Sequence, residues 1–230
     1  WESGEDFTFT DANSQFTLTS SQIGDLVVTT SLETIDTLSG VSVPGLTLKA
    51  PKGAAVFSPM TTLLADLEAD GLSRADAQAK IKTAMGLSDI TDLNLMTFNP
   101  MAQDVSTADQ AKYLNANLQV VGTLKALSSL TVNSSSGSVT EQAALDSGMG
   151  ALTGLIASAA TTGTAVDLSD ETTVADLGGV LQSEYEGSID TNAFSNALTS
   201  VKSAVANVNG AINSVTSYSG ERAKNLMAVA

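Results

Sequence analysis

Hydrophobic and polar positions alternate through the first fifty residues and then recur at helical spacing. DFTFTDANSQFTLT places Phe7, Phe9, Phe16 and Leu18 on one side of two short strands and Thr8, Thr10, Thr17 and Thr19 on the other, around a turn at 11–15. LVVTTSL (26–32) is rich in β-branched residues, which suit a pleated surface. VSVPGLTLKAP (41–51) carries another period of two, broken by Pro44-Gly45 and closed by Pro51. The pattern predicts about four strands in a small sheet with one apolar face that needs cover.

From Ser58 the period becomes helical. Met60, Leu63, Leu64 and Leu67 stand at i, i+3, i+4 and i+7, with Ser58 as N-cap, Pro59 at the first helical position and Gly71 as the stop. A second helix opens at Ser73, with Asp76 three residues on, carries Ala77, Ile81, Ala84 and Met85 as its stripe, and ends at Gly86. After a loop, a long helix is expected from about Ser106 to Leu130, with Tyr113, Leu114, Leu118, Val121, Leu124, Leu127 and Leu130 apolar. VNSSSGSV (132–139) reads as a polar linker, followed by helices near 140–160, 170–186 and 190–215.

These elements predict an α+β chain: a small N-terminal antiparallel β-sheet followed by a predominantly α-helical bundle. The β-rich region would span 1–52 and the helical region 53–230, with a sub-boundary at 131–139. At 230 residues there is chain enough to bury a sizeable core.

Charge narrows the partners. Ten Lys and Arg face twenty-five Asp and Glu, for a formal net charge of -15. Such a surface repels phosphate backbones, so nucleic acid and anionic membrane surfaces are poor partners and divalent cations are the natural counter-charge. The chain has no Cys and no His. Zinc ligation, thiol nucleophiles and any triad that needs imidazole are therefore absent. The stretch GMGALTGLIASAATTGTAV (148–166) is the most apolar, but its Gly, Ser and Thr content favours a packed helix over a membrane span. Its Gly150 and Gly154 form a small-xxx-small pair that would let another helix approach closely. The first residue is Trp1, without an initiator Met or a secretory leader, so the chain reads as a processed product or as a piece of a longer one.

Candidate chemistry is sparse. Asp66/Asp70 and Glu184/Glu186 could be proposed as glycosidase carboxylate pairs, but a solvated helix face explains them better, and few aromatic residues are present to stack a sugar. Ser58 or Thr61 as a nucleophile would need a base, for which Lys52 is the nearest in sequence. Calcium is the cofactor the residues favour. Asp11 and Asn13 with Gln15 have the alternating oxygen spacing that opens many calcium loops, without the later Gly and bidentate Glu of an EF-hand. Asp89 and Asp92 with Asn94, and Asp190 with Asn192, are similar fragments. At each site taken singly, an Asx-turn or helix N-cap fits better than a ligand.

The run LTLKAPKGAAVFSPMTTLLADLEADGLSRADAQAKIKTAMGLSDITDLNLMTFNPMA, with TDANSQFTL and LVVTT before it, resembles a module of large secreted or surface adhesin-like proteins, RTX-type and cadherin-like, of Gram-negative bacteria. In that pattern a strand ending L-x-A-P-x-G-x-x-V leads into S/T-P-L-T-T-L, a helical pair ending LGL, and D-x-x-x-F-D-P-L-A. Ala50, Pro51, Gly53, Val56, Ser58, Pro59, Thr61, Thr62 and Leu63 match it, as do Gly86-Leu87, Phe98, Pro100 and Ala102. Met60 and Met101 replace Leu, and Asn99 stands where Asp is usual. The match covers roughly residues 8–102.

What the resemblance implies is an extracellular, secreted or surface-exposed part without catalytic activity. The expectation is a structural subunit or module of an adhesin, filament or matrix layer that self-associates by strand addition, using the alternating start WESGEDFTFT. The alternative is a module that binds a glycan or another cell-surface ligand through its loops.

Overall fold

The computed structural model describes residues 7–10, 16–18, 24–31, 34 and 45–218. Strands β1 (Leu26–Thr29) and β2 (Thr47–Ala50) pair antiparallel, Leu26 opposite Ala50 and Thr29 opposite Thr47. Six helices follow: α1 (Pro59–Ala69), α2 (Arg74–Ala84), α3 (Thr107–Ser134), α4 (Glu141–Thr162), α5 (Glu171–Glu184) and α6 (Thr191–Asn213). The architecture is α+β, a small N-terminal sheet and then a helical bundle.

Among the described residues the sheet has two strands where the alternation predicts about four. Residues 7–10 and 16–18 join no ladder, and the turn at 11–15 and residues 41–44 lie outside the described residues. The expected apolar face divides for a packing reason. Phe16 stacks on Phe57 with ring centroids 5.3 Å apart and Leu18 lies against the core, whereas Phe7 and Phe9 are 59% and 84% exposed and meet each other edge to face.

The helices begin where the caps predict. Ser58, Ser73, Ser106, Thr140, Asp170 and Asp190 each accept a first-turn N–H with the side chain, satisfying donors that have no intrahelical partner. The first two end by the left-handed glycines Gly71 (φ +95°) and Gly86 (φ +65°), which let Leu72 N–H reach Leu67 O and Leu87 N–H reach Lys82 O. Helix α3 runs on to Ser134, so the first residues of the expected linker form its last turn.

Helix α3 is the centre of the bundle, packed by α1, α4, α5 and α6. Tyr113, Leu124, Leu127 and Leu130 are buried as the stripe predicts, and Leu114, Leu118 and Val121 are half-buried. A continuous core extends from Leu26 of β1 through Leu63 and Leu67 of α1 to Phe194 and Val205 of α6. Close helix approach occurs at glycines other than the expected pair. A Cβ on Gly148 would sit 3.0 Å from Leu124 Cδ2, and one on Gly178 would sit 2.6 Å from Leu198 Cδ1. Gly150 and Gly154 are exposed, with no neighbour within 4 Å of such a Cβ. No helix among the described residues is long and apolar enough to cross a membrane.

Candidate functional site

The SPMTT segment joins sheet to bundle. Ser58 Oγ accepts from Thr61 N–H (3.2 Å) while Thr61 Oγ1 accepts from Ser58 N–H (2.9 Å), a capping box closed by Thr instead of Glu. The two threonines then reach across to β2. Thr62 Oγ1 accepts from Lys49 N–H (3.0 Å), and Thr61 Oγ1 lies 2.9 Å from Lys49 O, positioned to donate. Lys49 Nζ pairs with Asp66 one turn further along α1 (3.0 Å). Behind the joint, Tyr113 of α3 shares a hydrogen bond with Ser58 Oγ (3.0 Å) and packs on the Phe98 ring, centroids 4.8 Å apart. Burial pushes the Tyr113 phenol up from its usual range, against smaller pulls downward from its hydrogen bonds with Ser58 and Asn117. Ser58, Thr61, Thr62 and Phe98, four of the residues that carry the adhesin-like resemblance, thus meet at one point.

This joint closes one edge of the sheet; the other has no such cover among the described residues. Thr30 N–H donates to Leu46 O (2.9 Å), so that pair is hydrogen-bonded, and antiparallel alternation makes Val28–Leu48 and Leu26–Ala50 hydrogen-bonded too. Val27, Thr29, Thr47 and Lys49 must then turn their N–H and C=O groups outward. On the β2 side the Thr61 and Thr62 hydroxyls take those of Lys49. On the β1 side the Val27 and Thr29 side chains are exposed, Val27 to 61%.

A cleft of about 510 Å³ lies on the other side of α3, between the end of α2, residues 165–168 and residues 213–216. Small side chains line it, Ala84, Ala108, Ala111 and Ala116 among them, with Lys112, Asn115, Gln119 and Asp167 as its polar groups. Its floor is a buried polar ladder along one face of α3. Asn115 Nδ2 donates to Val215 O (3.0 Å), Gln119 Nε2 to Asn209 O (2.9 Å), and Thr123 Oγ1 accepts from Asn209 Nδ2 (2.9 Å). Asn209 Nδ2 also donates to Leu168 O (2.7 Å), and the Tyr218 hydroxyl closes the ladder on Asn115 Oδ1. Burial pushes the Tyr218 phenol up to about 12. Nothing in the apolar periodicity marks Asn115, Gln119 and Asn209. Their spacing of four, Asn115-Gln119-Thr123, is the one trace, and it equally describes a solvated face.

Among the described residues, two of the proposed calcium ligands, Asp89 and Asp190, are engaged by other groups. Asp89 pairs with Lys112, whose hydrogen bond lowers its carboxyl below the usual range. Asp92 adopts a left-handed turn (φ 55°), and Asn94 Oδ1 accepts from Met96 N–H (3.0 Å) in an Asx-turn. Asp190 Oδ1 caps α6 through the N–H groups of Asn192 and Ala193, each at 3.0 Å, and Asn192 is exposed in the first turn. Asp11 and Asn13 lie outside the described residues. Among the described residues no three His, Cys, Asp or Glu groups gather as a metal cage would need.

One member of each carboxylate pair is engaged elsewhere. Asp66 holds Lys49, and Glu184 accepts from Ser147 Oγ (2.7 Å), which also contacts the Tyr185 hydroxyl (2.8 Å). Lys52 is exposed, and its backbone meets Asp25 and Arg74. Neither a protein-family model, nor a curated protein, nor a solved structure matches the chain.

Proposed function

We propose that this chain is a non-enzymatic structural module, secreted or displayed on the surface of a Gram-negative bacterium, that self-associates by strand addition into an adhesin, filament or matrix layer. The observation that carries this reading is Phe9. It stands 84% exposed in a stretch whose apolar residues alternate with threonine, in edge-to-face contact with Phe7. A solvent-exposed aromatic ring at the period-two spacing of a strand suits pairing with a sheet. The resemblance of residues 8–102 to adhesin-like modules supports the extracellular setting.

Calcium enters this reading as counter-charge. Copies carrying -15 each repel at low ionic strength, and a divalent cation shared between carboxylates of neighbouring copies relieves that repulsion more than sodium at equal ionic strength. Sedimentation velocity over a hundredfold concentration range tests the reading, with the full chain beside a variant lacking residues 1–10. Concentration-dependent growth lost on deletion supports strand addition; normal assembly of the shortened chain contradicts it.

A second reading, a ligand- or glycan-binding module, draws on the cleft beside Asn115 and Gln119, whose volume suits a small molecule. A glycan array and a thermal-shift screen decide it. A hit lost when Ala111→Phe fills the cleft favours this reading over the first.

A further inference from the structure

We propose that Asn209-Gly210 is a deamidation site that the folded chain shields, and that its conversion, once α6 has opened, keeps this helix from docking again on α3.

Asn-Gly is the pairing in which an asparagine amide is most open to attack by its own backbone. Glycine has no side chain to hold the following nitrogen away, so in an unfolded chain Gly210 N can reach Asn209 Cγ. The nitrogen bonds to Cγ, the Cγ–Nδ2 bond breaks, and Nδ2 leaves as ammonia with the proton that Gly210 N gives up. Water then opens the cyclic imide at either carbonyl. The product is an aspartate at 209 or its isomer, in which the main chain runs through the side-chain carboxyl carbon. Solvent water is the sole co-reactant, and the sequence holds an Asn-Gly pair here alone.

In the folded chain each requirement is blocked. The pair lies near the end of α6, where the helical ladder commits Gly210 N–H to the carbonyl of Ala206. Gln119 Nε2 donates to Asn209 O (2.9 Å), while Asn209 Nδ2 donates to Thr123 Oγ1 (2.9 Å) and Leu168 O (2.7 Å), so the amide is held from both sides. Asn209 is buried, which also keeps out the water that would open the imide. Packing gives no reason for the glycine. Gly210 is exposed, a Cβ there would meet nothing within 4 Å among the described residues, and Ala would favour the helix more.

Conversion reverses the polarity of the ladder. The nitrogen that donates to Leu168 O becomes an oxygen, which sets two acceptors against each other and adds a negative charge in an enclosed setting. The isomer also lengthens the main chain by an atom, which breaks the helical register. A helix that has stayed open long enough to form the imide is thereby barred from its old place.

Peptide-level mass spectrometry in mildly alkaline buffer tests this by following amide-to-acid conversion at 209 in the folded chain and in urea. The folded chain is expected to convert roughly tenfold or more slowly, because conversion waits for the ladder to open. Gly210→Ala leaves the packing untouched and restores a side chain beside the reacting nitrogen, so its conversion in urea is expected to fall several-fold. Asn209→Asp, made directly, carries the product without any refolding step. Hydrogen exchange in the second half of its α6 is expected to quicken by about tenfold or more, or the helix to be lost. Conversion of the folded chain within about tenfold of the unfolded rate, or none at 209 in urea, overturns the shielded site. Wild-type protection of α6 in Asn209→Asp overturns the barrier to docking.

Discussion

Thr62 Oγ1 accepts the Lys49 N–H at 3.0 Å, so a helix side chain stands where the next strand of the sheet would bond. With Thr61 beside it, the first turn of α1 serves as an edge cover for β2. That explains two β-branched, weak helix formers at positions where Ala or Glu would favour the helix more.

Replacing Thr62 by Val keeps its shape and removes the acceptor. The Lys49 N–H then loses its partner in a half-buried joint, at a cost of about 1–3 kcal/mol, which corresponds to a drop in Tm of roughly 2–12 °C. Thr62→Ser restores most of it. Differential scanning calorimetry of the two variants checks the order wild type, Ser, Val.

Glycines on α4 and α5 divide into two classes. Gly150→Ala and Gly154→Ala meet open space and gain helix propensity, so each is expected to stabilise by about 0.5–1 kcal/mol. Gly178→Ala pushes into Leu198 and is expected to destabilise by about 1 kcal/mol net, overpacking outweighing propensity. In a Leu198→Ala background the Gly178→Ala penalty should vanish. Urea unfolding of the double-mutant cycle measures this directly.

Much of the helical architecture was legible in the sequence because its signals are local. Ser58 with Pro59, Ser73 with Asp76, and Gly71 and Gly86 set helix ends within a few residues of one another, and the Met60-Leu63-Leu64-Leu67 stripe identified the buried face correctly. Contacts between distant residues left no such signal. Ser58 and Tyr113 are 55 residues apart, and Thr123 and Asn209 are 86 apart. Phe7 and Phe9 have the same alternation as buried strand residues, since periodicity records which side a residue faces and says nothing of what covers that side. The Gly150/Gly154 pair failed as a docking signal because small size permits close approach without supplying a partner.

Asn209 is the knot of the polar ladder. Its amide donates to Thr123 Oγ1 and to Leu168 O in a fully enclosed setting. Asn209→Ala leaves Leu168 O without this donor and opens a small void, so a loss of about 2–4 kcal/mol is expected. Hydrogen exchange should show the loss concentrated in the second half of α6 and residues 165–168.

Tyr218 gives the ladder a pH dependence. Its phenol ionises at about 12 in the folded chain against 10.0 ordinarily. A folded value above the unfolded one means that its contribution to stability is complete below pH 10 and is lost as pH rises from about 10 through 12. Ultraviolet titration of the phenols should contain a component near pH 12 that disappears in Tyr218→Phe. The variant should also flatten the fall in stability across that window.

Self-association of this chain into larger assemblies remains the proposal to test. Negative-stain electron microscopy of the purified full chain, first in millimolar calcium and then in chelator at equal ionic strength, tests it most directly. Filaments or sheets that lengthen with protein concentration and are sparser in chelator are expected. Single particles of uniform size in both conditions, at every concentration, would contradict it.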